Sequence, residues 1–423
     1  MAGKHTVMAV WASALLLPAC GSSGDRSTLD AVNVSDEELA ERAYVISEQS
    51  DELFVMDLGS MTEVGKVDTS LSTGVNSNHM SMLSGDARKL YVMATNEDAA
   101  VVVDTATLQV IGRIPLGAHP THAEACLGCP PDGRDLLWVV NEGGGHGEGA
   151  PAESEEEHGH GSVSIIDMGT DEVIATFEHE SLEVPHFVRF HDRSAFIPSI
   201  GGNQITVVDL DSLQVSDVLL REGVTEPGPC SGDPCGFADA QIDRNGLLVA
   251  AHIETGQVLS YDAAGGFRRA DLRTGNKPWS IFVDSMSDDF DTHLMPNWGD
   301  STVSLIDRVQ EREVARSAEG DVESFGVNYS PLAPGQAFVL NRIKERIAVI
   351  DRNDGSLIEA LDVGGTTETA STSGDGRYLL LPISSTNQFS VFDVTTRTEV
   401  ARFDEVGTYP WSVTTVGGQN YCH

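Results

Sequence analysis

The sequence predicts an all-β fold, a β-propeller most simply built from eight four-stranded blades, and three observations carry that expectation. An apolar run closing on aspartate recurs eight times, at Leu53–Asp57, Val101–Asp104, Val163–Asp167, Ile205–Asp209, Val258–Asp262, Val303–Asp307, Ile347–Asp351 and Phe389–Asp393. The copies stand roughly 42 to 63 residues apart, a spacing typical of propellers and solenoids. Most copies are preceded by a second apolar strand and followed by a third, and no stretch has helical periodicity of useful length. Finally, the last strand, Trp411–Val416, has nothing after it to pair with, while the first repeat, from Ala43, lacks an innermost strand. Pairing the two closes a ring and removes an exposed sheet edge. Seven blades with one degenerate repeat is the alternative, and a solenoid would not need the exchange.

Taken in order, the chain of 423 residues begins with Lys4 and His5, an apolar stretch Thr6–Leu17, and Leu17-Pro18-Ala19-Cys20. That pattern reads as a secretory signal over 1–19 and is too short for a persuasive membrane span. Leu-x-Ala-Cys also resembles the bacterial lipobox, which implies lipidation of Cys20. Gly21 after the cysteine implies the periplasmic side of an outer membrane. Residues 20–42 read as a polar, acidic tether, and 43–423 as the propeller.

Within the repeats the outer turns are rich in Asp, Thr and Ser, and the fourth strand follows a turn ending in X-Pro: His119-Pro120, Val184-Pro185, Lys277-Pro278 and Tyr409-Pro410. The stretch from Leu90, LYVMATNEDAAVVVDTATLQVIGRIPLGAHP, is similar to the YVTN (YncE-like) propeller repeat, and the resemblance extends from Ala43 to Val416. It implies the fold but not the function, because this broad group includes metal chaperones, cofactor-bearing dehydrogenase subunits, lactonases and the haem-binding propeller of periplasmic nitrite reductases. The segment Val184–Asp192, VPHFVRFHD, resembles the zinc-chaperone propellers.

The net charge of -39 weighs against nucleic acid and anionic lipid as partners, and any membrane contact is expected through the lipid anchor alone. The same acidity concentrates cations near the surface. Cys126 and Cys129, and Cys230 and Cys235, read as two local disulfides in an oxidising compartment. Pro130 after Cys129 excludes a c-type haem attachment. Cys422 is left over. Residues 142–161 form an insertion rich in Gly, Glu and His; His146, His158 and His160 there suit a metal-capture loop.

Aligning the repeats places one residue per blade at the start of each innermost strand: Trp411, His79, His122, His186, Asp239, Trp279, Glu323 and Glu368. His119 and Glu124 flank His122, and His252 ends the second strand of blade 5. Three imidazoles with a carboxylate suit zinc, with copper as an alternative. Trp279 and Trp411 are expected at the channel rim. No catalytic motif stands out. A haem-bearing propeller is the rival, with His186 or His79 as axial ligand and Arg189 the one nearby cation. A protein-interaction scaffold is a third reading. The leading expectation is an exported, membrane-tethered zinc-binding propeller that hands metal to a metal-transport or other periplasmic protein.

Overall fold

The computed structural model describes residues 34–143, 160–232, 234–243, 245–268, 272–284, 291–320 and 326–420. The signal, Cys20, most of the tether, His146, His158, Glu323 and Cys422 lie outside the described residues.

The recurring aspartate ends the third strand of each repeat and shapes the turn that follows. Its carboxylate accepts the backbone N–H three residues on, as in Asp57–Ser60 at 2.6 Å, Asp104–Thr107 at 2.7 Å and Asp209–Ser212 at 2.9 Å. Four residues after every one of the eight aspartates the backbone turns left-handed: Met61, Leu108, Asp171, Leu213, Gly266, Glu311, Gly355 and Arg397. A non-glycine residue there costs about 1 kcal/mol or more, which the Asx turn and the strands on either side offset. The aspartates therefore have a structural task, and they mark the blade period for that reason.

Eight antiparallel sheets result. Blade 1 comprises Arg42–Ser47, Glu52–Asp57 and Thr62–Asp68, and its innermost strand is Pro410–Thr415 from the other end of the chain. Blades 2 and 3 start from inner strands Asn78–Leu83 and Pro120–Cys129. The inner strand of blade 4 is short, Arg189–His191, extended by a bridge between Pro185 and Ser199. In blade 6 it reduces to two bridges, Pro278 to Asn297 and Phe282 to Leu294. Eight blades closed by the C-terminal strand are thus present, and the seven-blade alternative falls.

Each blade touches the next through its inner strand. The Ser81 and Thr414 hydroxyls meet at 2.9 Å between blades 2 and 1, and Ala123 N donates to Met80 Sδ between blades 3 and 2. Arg189 bridges blades 3, 4 and 5 through Glu124 and Asp239; Arg308 joins blade 6 to Asp243 of blade 5. Tyr329 Oη reaches the Phe282 carbonyl, Asn328 reaches Ala370, and Ser371 Oγ reaches Val413, linking blades 6, 7, 8 and 1. Between the sheets, the middle strands are buried on both faces, so they read as apolar runs rather than as alternating patterns.

Two features depart from the sequence expectation. The end of the tether docks: Ser35 caps a short helix, Asp36–Ala40, whose Leu39 is buried together with Val34. Two isolated apolar residues carry no periodicity for a sequence reading to detect. Beyond Thr415 the chain adds a further strand, Gln419–Asn420, to Ser371–Thr372 of blade 8. Among the described residues no helix is long and apolar enough to cross a membrane.

Candidate functional site

The X-Pro corners set up the mouth of the channel. His119, Val184, Lys277 and Tyr409 all take left-handed backbone angles, between 48° and 59° in φ, immediately before their prolines. Each corner turns the chain into the start of an inner strand, placing His122, His186, Trp279 and Trp411 one or two residues beyond the proline. Blade 2 has no proline but the same geometry, with Ser77 at φ 53° two residues before His79.

The imidazoles of three successive blades then meet. Ring centroids lie 4.8 Å apart for His79 and His122 and 4.3 Å apart for His122 and His186. Trp411 flanks His79 at 5.4 Å and Trp279 flanks His186 at 6.1 Å. Both tryptophans are buried, so they wall the site rather than offer an open stacking face. Ligand atoms of His122, Glu142 and His186, all buried, lie within 4.8 Å of one another, the one such group of three among the described residues.

Glu142 is the member that repeat alignment does not supply. It follows the last residue of the strand Arg134–Asn141 and opens the Gly-rich insertion, where its surroundings in sequence suggest a spacer. The signal is its position: its N–H bonds to the His119 carbonyl at 3.0 Å and that of Gly143 to Ala118 at 3.1 Å, so the strand pairing runs on past Asn141. Thr121 donates to one carboxylate oxygen at 2.9 Å and His119 Nδ1 stands 3.5 Å from the other. At the far end of the insertion Gly161 passes so close to Pro185 that a Cβ would come within 2.1 Å of its ring, which brings the chain back beside His186.

The electrostatics suit a cation. Burial lowers the His186 pKa below the ordinary histidine value, so this imidazole is neutral at pH 7. Its Nδ1 donates to the Ala238 carbonyl at 2.8 Å, which leaves Nε2 with the lone pair a metal needs. Burial pushes the Glu142 carboxyl up, but the hydrogen bond with His119 and the imidazoles around it hold it below its ordinary value, so it is ionised. The free Nε2 of His186, a second buried imidazole at His122, an anionic oxygen and an adjacent third imidazole match the donor types of a zinc site. Donors on a tetrahedral zinc stand about 3.4 Å apart, so no pair of this set would have to close by more than about 1.4 Å on binding.

Other residues singled out from sequence go elsewhere. Glu124 and Asp239 hold Arg189 at 2.8 and 2.9 Å, forming a bridge across three inner strands. Glu368 is buried against Arg342 at 2.8 Å and takes the Tyr409 hydroxyl at 2.9 Å. His252 is edge-on to Phe237 at 5.0 Å with Nδ1 3.2 Å from the Thr255 hydroxyl, and it is not one of the three grouped donors. His119 contacts Glu142 and stands outside the group. His160 pairs with Glu183 at 3.3 Å, half-exposed. The two disulfides are present, Cys126–Cys129 and Cys230–Cys235; such bonds persist in an oxidising compartment and indicate an exported protein.

No family model matches the chain, and no curated protein does. Solved structures do. Dihydro-heme d1 dehydrogenase NirN in complex with DHE is similar at 13% identity and a TM-score of 0.68, over 90% of this chain and 76% of that one. Apo AztD from Citrobacter koseri matches at 13% and 0.56, over 88% and 96%. Kuenenia stuttgartiensis hydrazine synthase matches at 16% and 0.52, over 78% and 99%. The likeness is one of fold. The YVTN resemblance of the repeats has no further support from these comparisons.

Proposed function

We propose that this chain is an exported metal-binding propeller that takes Zn²⁺, with copper as a competitor, at His122, His186 and Glu142, and His79 as the neighbouring fourth donor. The convergence of three buried donors from two blades and the root of the insertion carries this reading. Glu142 opens the insertion in sequence, and in this reading His146, His158 and His160 of that insertion capture metal from dilute solution, on a chain whose net charge of -39 attracts cations. In this reading Cys20 bears a lipid that keeps the propeller at the membrane, on the periplasmic side of the outer membrane, and an acceptor protein collects the ion.

A haem fits less well. The His122 ring stands edge-on to His79 and tilted against His186, each with centroids under 5 Å apart, which leaves no planar slot within either pair. Arg189 and Arg342 are engaged by carboxylates that propionates would have to displace.

The test is equilibrium dialysis with Zn²⁺ and Cu²⁺ of the wild type and of His122→Ala/His186→Ala, with elemental analysis of the purified protein. One tightly held ion in the wild type, lost in the double variant, is expected. Equal stoichiometry in both would overturn the site, and a Soret-region band on haem addition would favour the rival.

A further inference from the structure

We infer that the Cys230–Cys235 crosslink is a positioning element of the candidate metal centre, acting on His186 through the carbonyl of Ala238; this rests on the metal-binding reading above.

Three extended segments lie side by side at the mouth of blades 4 and 5. The first carries His186: its N–H bonds to the Pro198 carbonyl at 3.1 Å, and Ile200 N bonds to the Val184 carbonyl at 3.0 Å. The second, residues 198–202, is bonded in turn to the third. Gly236 N reaches the Ile200 carbonyl at 2.7 Å and Phe237 N reaches the Ser199 carbonyl at 2.9 Å. The third segment ends at Ala238, whose carbonyl accepts the His186 Nδ1 proton at 2.8 Å and so fixes which nitrogen is free for metal.

This third segment starts at the disulfide. Cys235 is fully buried and its N–H bonds to the Ile200 carbonyl at 3.3 Å, while Cys230 N bonds to the Gly201 carbonyl at 3.0 Å, so both cysteines are tied to the middle segment. The approach is close enough that Gly236 has no room for a side chain: a Cβ would meet the Gly202 and Ser199 carbonyl oxygens at 2.2 and 2.3 Å. Crosslink and glycine together press the segment onto its neighbour, and the Ala238 carbonyl inherits that placement. Cys126–Cys129 lies at the far end of the blade 3 inner strand, away from the imidazoles, and has no such connection.

The experiment compares Zn²⁺ dissociation constants, by chelator competition, for the full-length wild type, Cys230→Ser/Cys235→Ser, Gly236→Ala and the control Cys126→Ser/Cys129→Ser. Histidine ¹⁵N spectra report the His186 tautomer independently of metal. Loss of a hydrogen bond that orients a metal-bound histidine typically costs 10- to 100-fold in affinity. We expect at least a tenfold loss in the first two variants, with the His186 Nδ1 proton exchanging faster, and less than a twofold change in the control. Should the double serine variant lose its fold by circular dichroism, Gly236→Ala decides the question. Affinity within twofold of wild type and an unchanged ¹⁵N signature in a folded variant would overturn the proposal. A wild type that binds no zinc would overturn the metal reading instead, and the ¹⁵N comparison would still decide whether the crosslink holds His186.

Discussion

Lowering the pH should loosen this ring through a residue remote from the imidazole cluster. His293, on the second strand of blade 6, is 4% exposed, and neither ring nitrogen has a hydrogen-bond partner among the described residues. It borders a small cavity with Leu247, Val249, Val258 and Ile306. Burial, followed by the charges of Arg352 and Arg308 and opposed by Asp243, lowers its pKa to about 3. A histidine whose folded pKa lies below its unfolded value contributes stability that is intact above about 6.5 and is lost as the pH falls toward the folded value. Each unit in that window costs about 1.4 kcal/mol, so going from pH 7 to pH 4 removes about 3 kcal/mol through this one group. His293→Leu fills an apolar setting and deletes two unsatisfied polar atoms, so it should be neutral or stabilising at pH 7. The assay is urea unfolding at both pH values. The variant should lose about 3 kcal/mol less than the wild type between them. Identical losses would refute the reasoning, because the imidazole would then have a proton acceptor or solvent access.

Three further outcomes are expected. Glu142→Gln should weaken Zn²⁺ binding at least about tenfold, whereas Glu368→Gln should leave it unchanged, as isothermal titration calorimetry will show. Arg352→Met strands the buried Asp284 carboxylate, which Arg352 holds at 2.6 Å, and should cost about 3–5 kcal/mol in denaturant unfolding. Truncation after Thr408 removes the innermost strand of blade 1 and should abolish the single cooperative thermal transition, read by circular dichroism and limited proteolysis.

The blade count was legible because the feature that repeats, an aspartate capping a left-handed turn, is local and needs no tertiary contact to be recognised. Closure was legible from a strand left over at one end and a strand missing at the other. The candidate site was legible only where the repeat constrained it. His79, His122 and His186 share an equivalent position, and the fold brings their rings into contact. Asp239 and Glu368 share that position too, yet pair with Arg189 and Arg342, and nothing in a repeat alignment shows which cation a carboxylate will find. Glu142 escaped for the opposite reason: a strand pairing that outlasts its hydrophobic run by Asn141 and a buried Glu142 looks, in composition, like the beginning of a loop. Blade 6 shows the same limit, since its inner segment is tied by two bridges and has no strand pattern to read.

Gln419 sits past the far end of the first blade's inner strand. Its side-chain amide donates to the Val283 carbonyl at 3.0 Å and accepts the Tyr329 N–H at 3.0 Å, while its backbone joins Thr372. The tail thus bolts blades 6, 7 and 8 together underneath. Removing the chain from Gln419 onward would therefore unfasten three sheets at once.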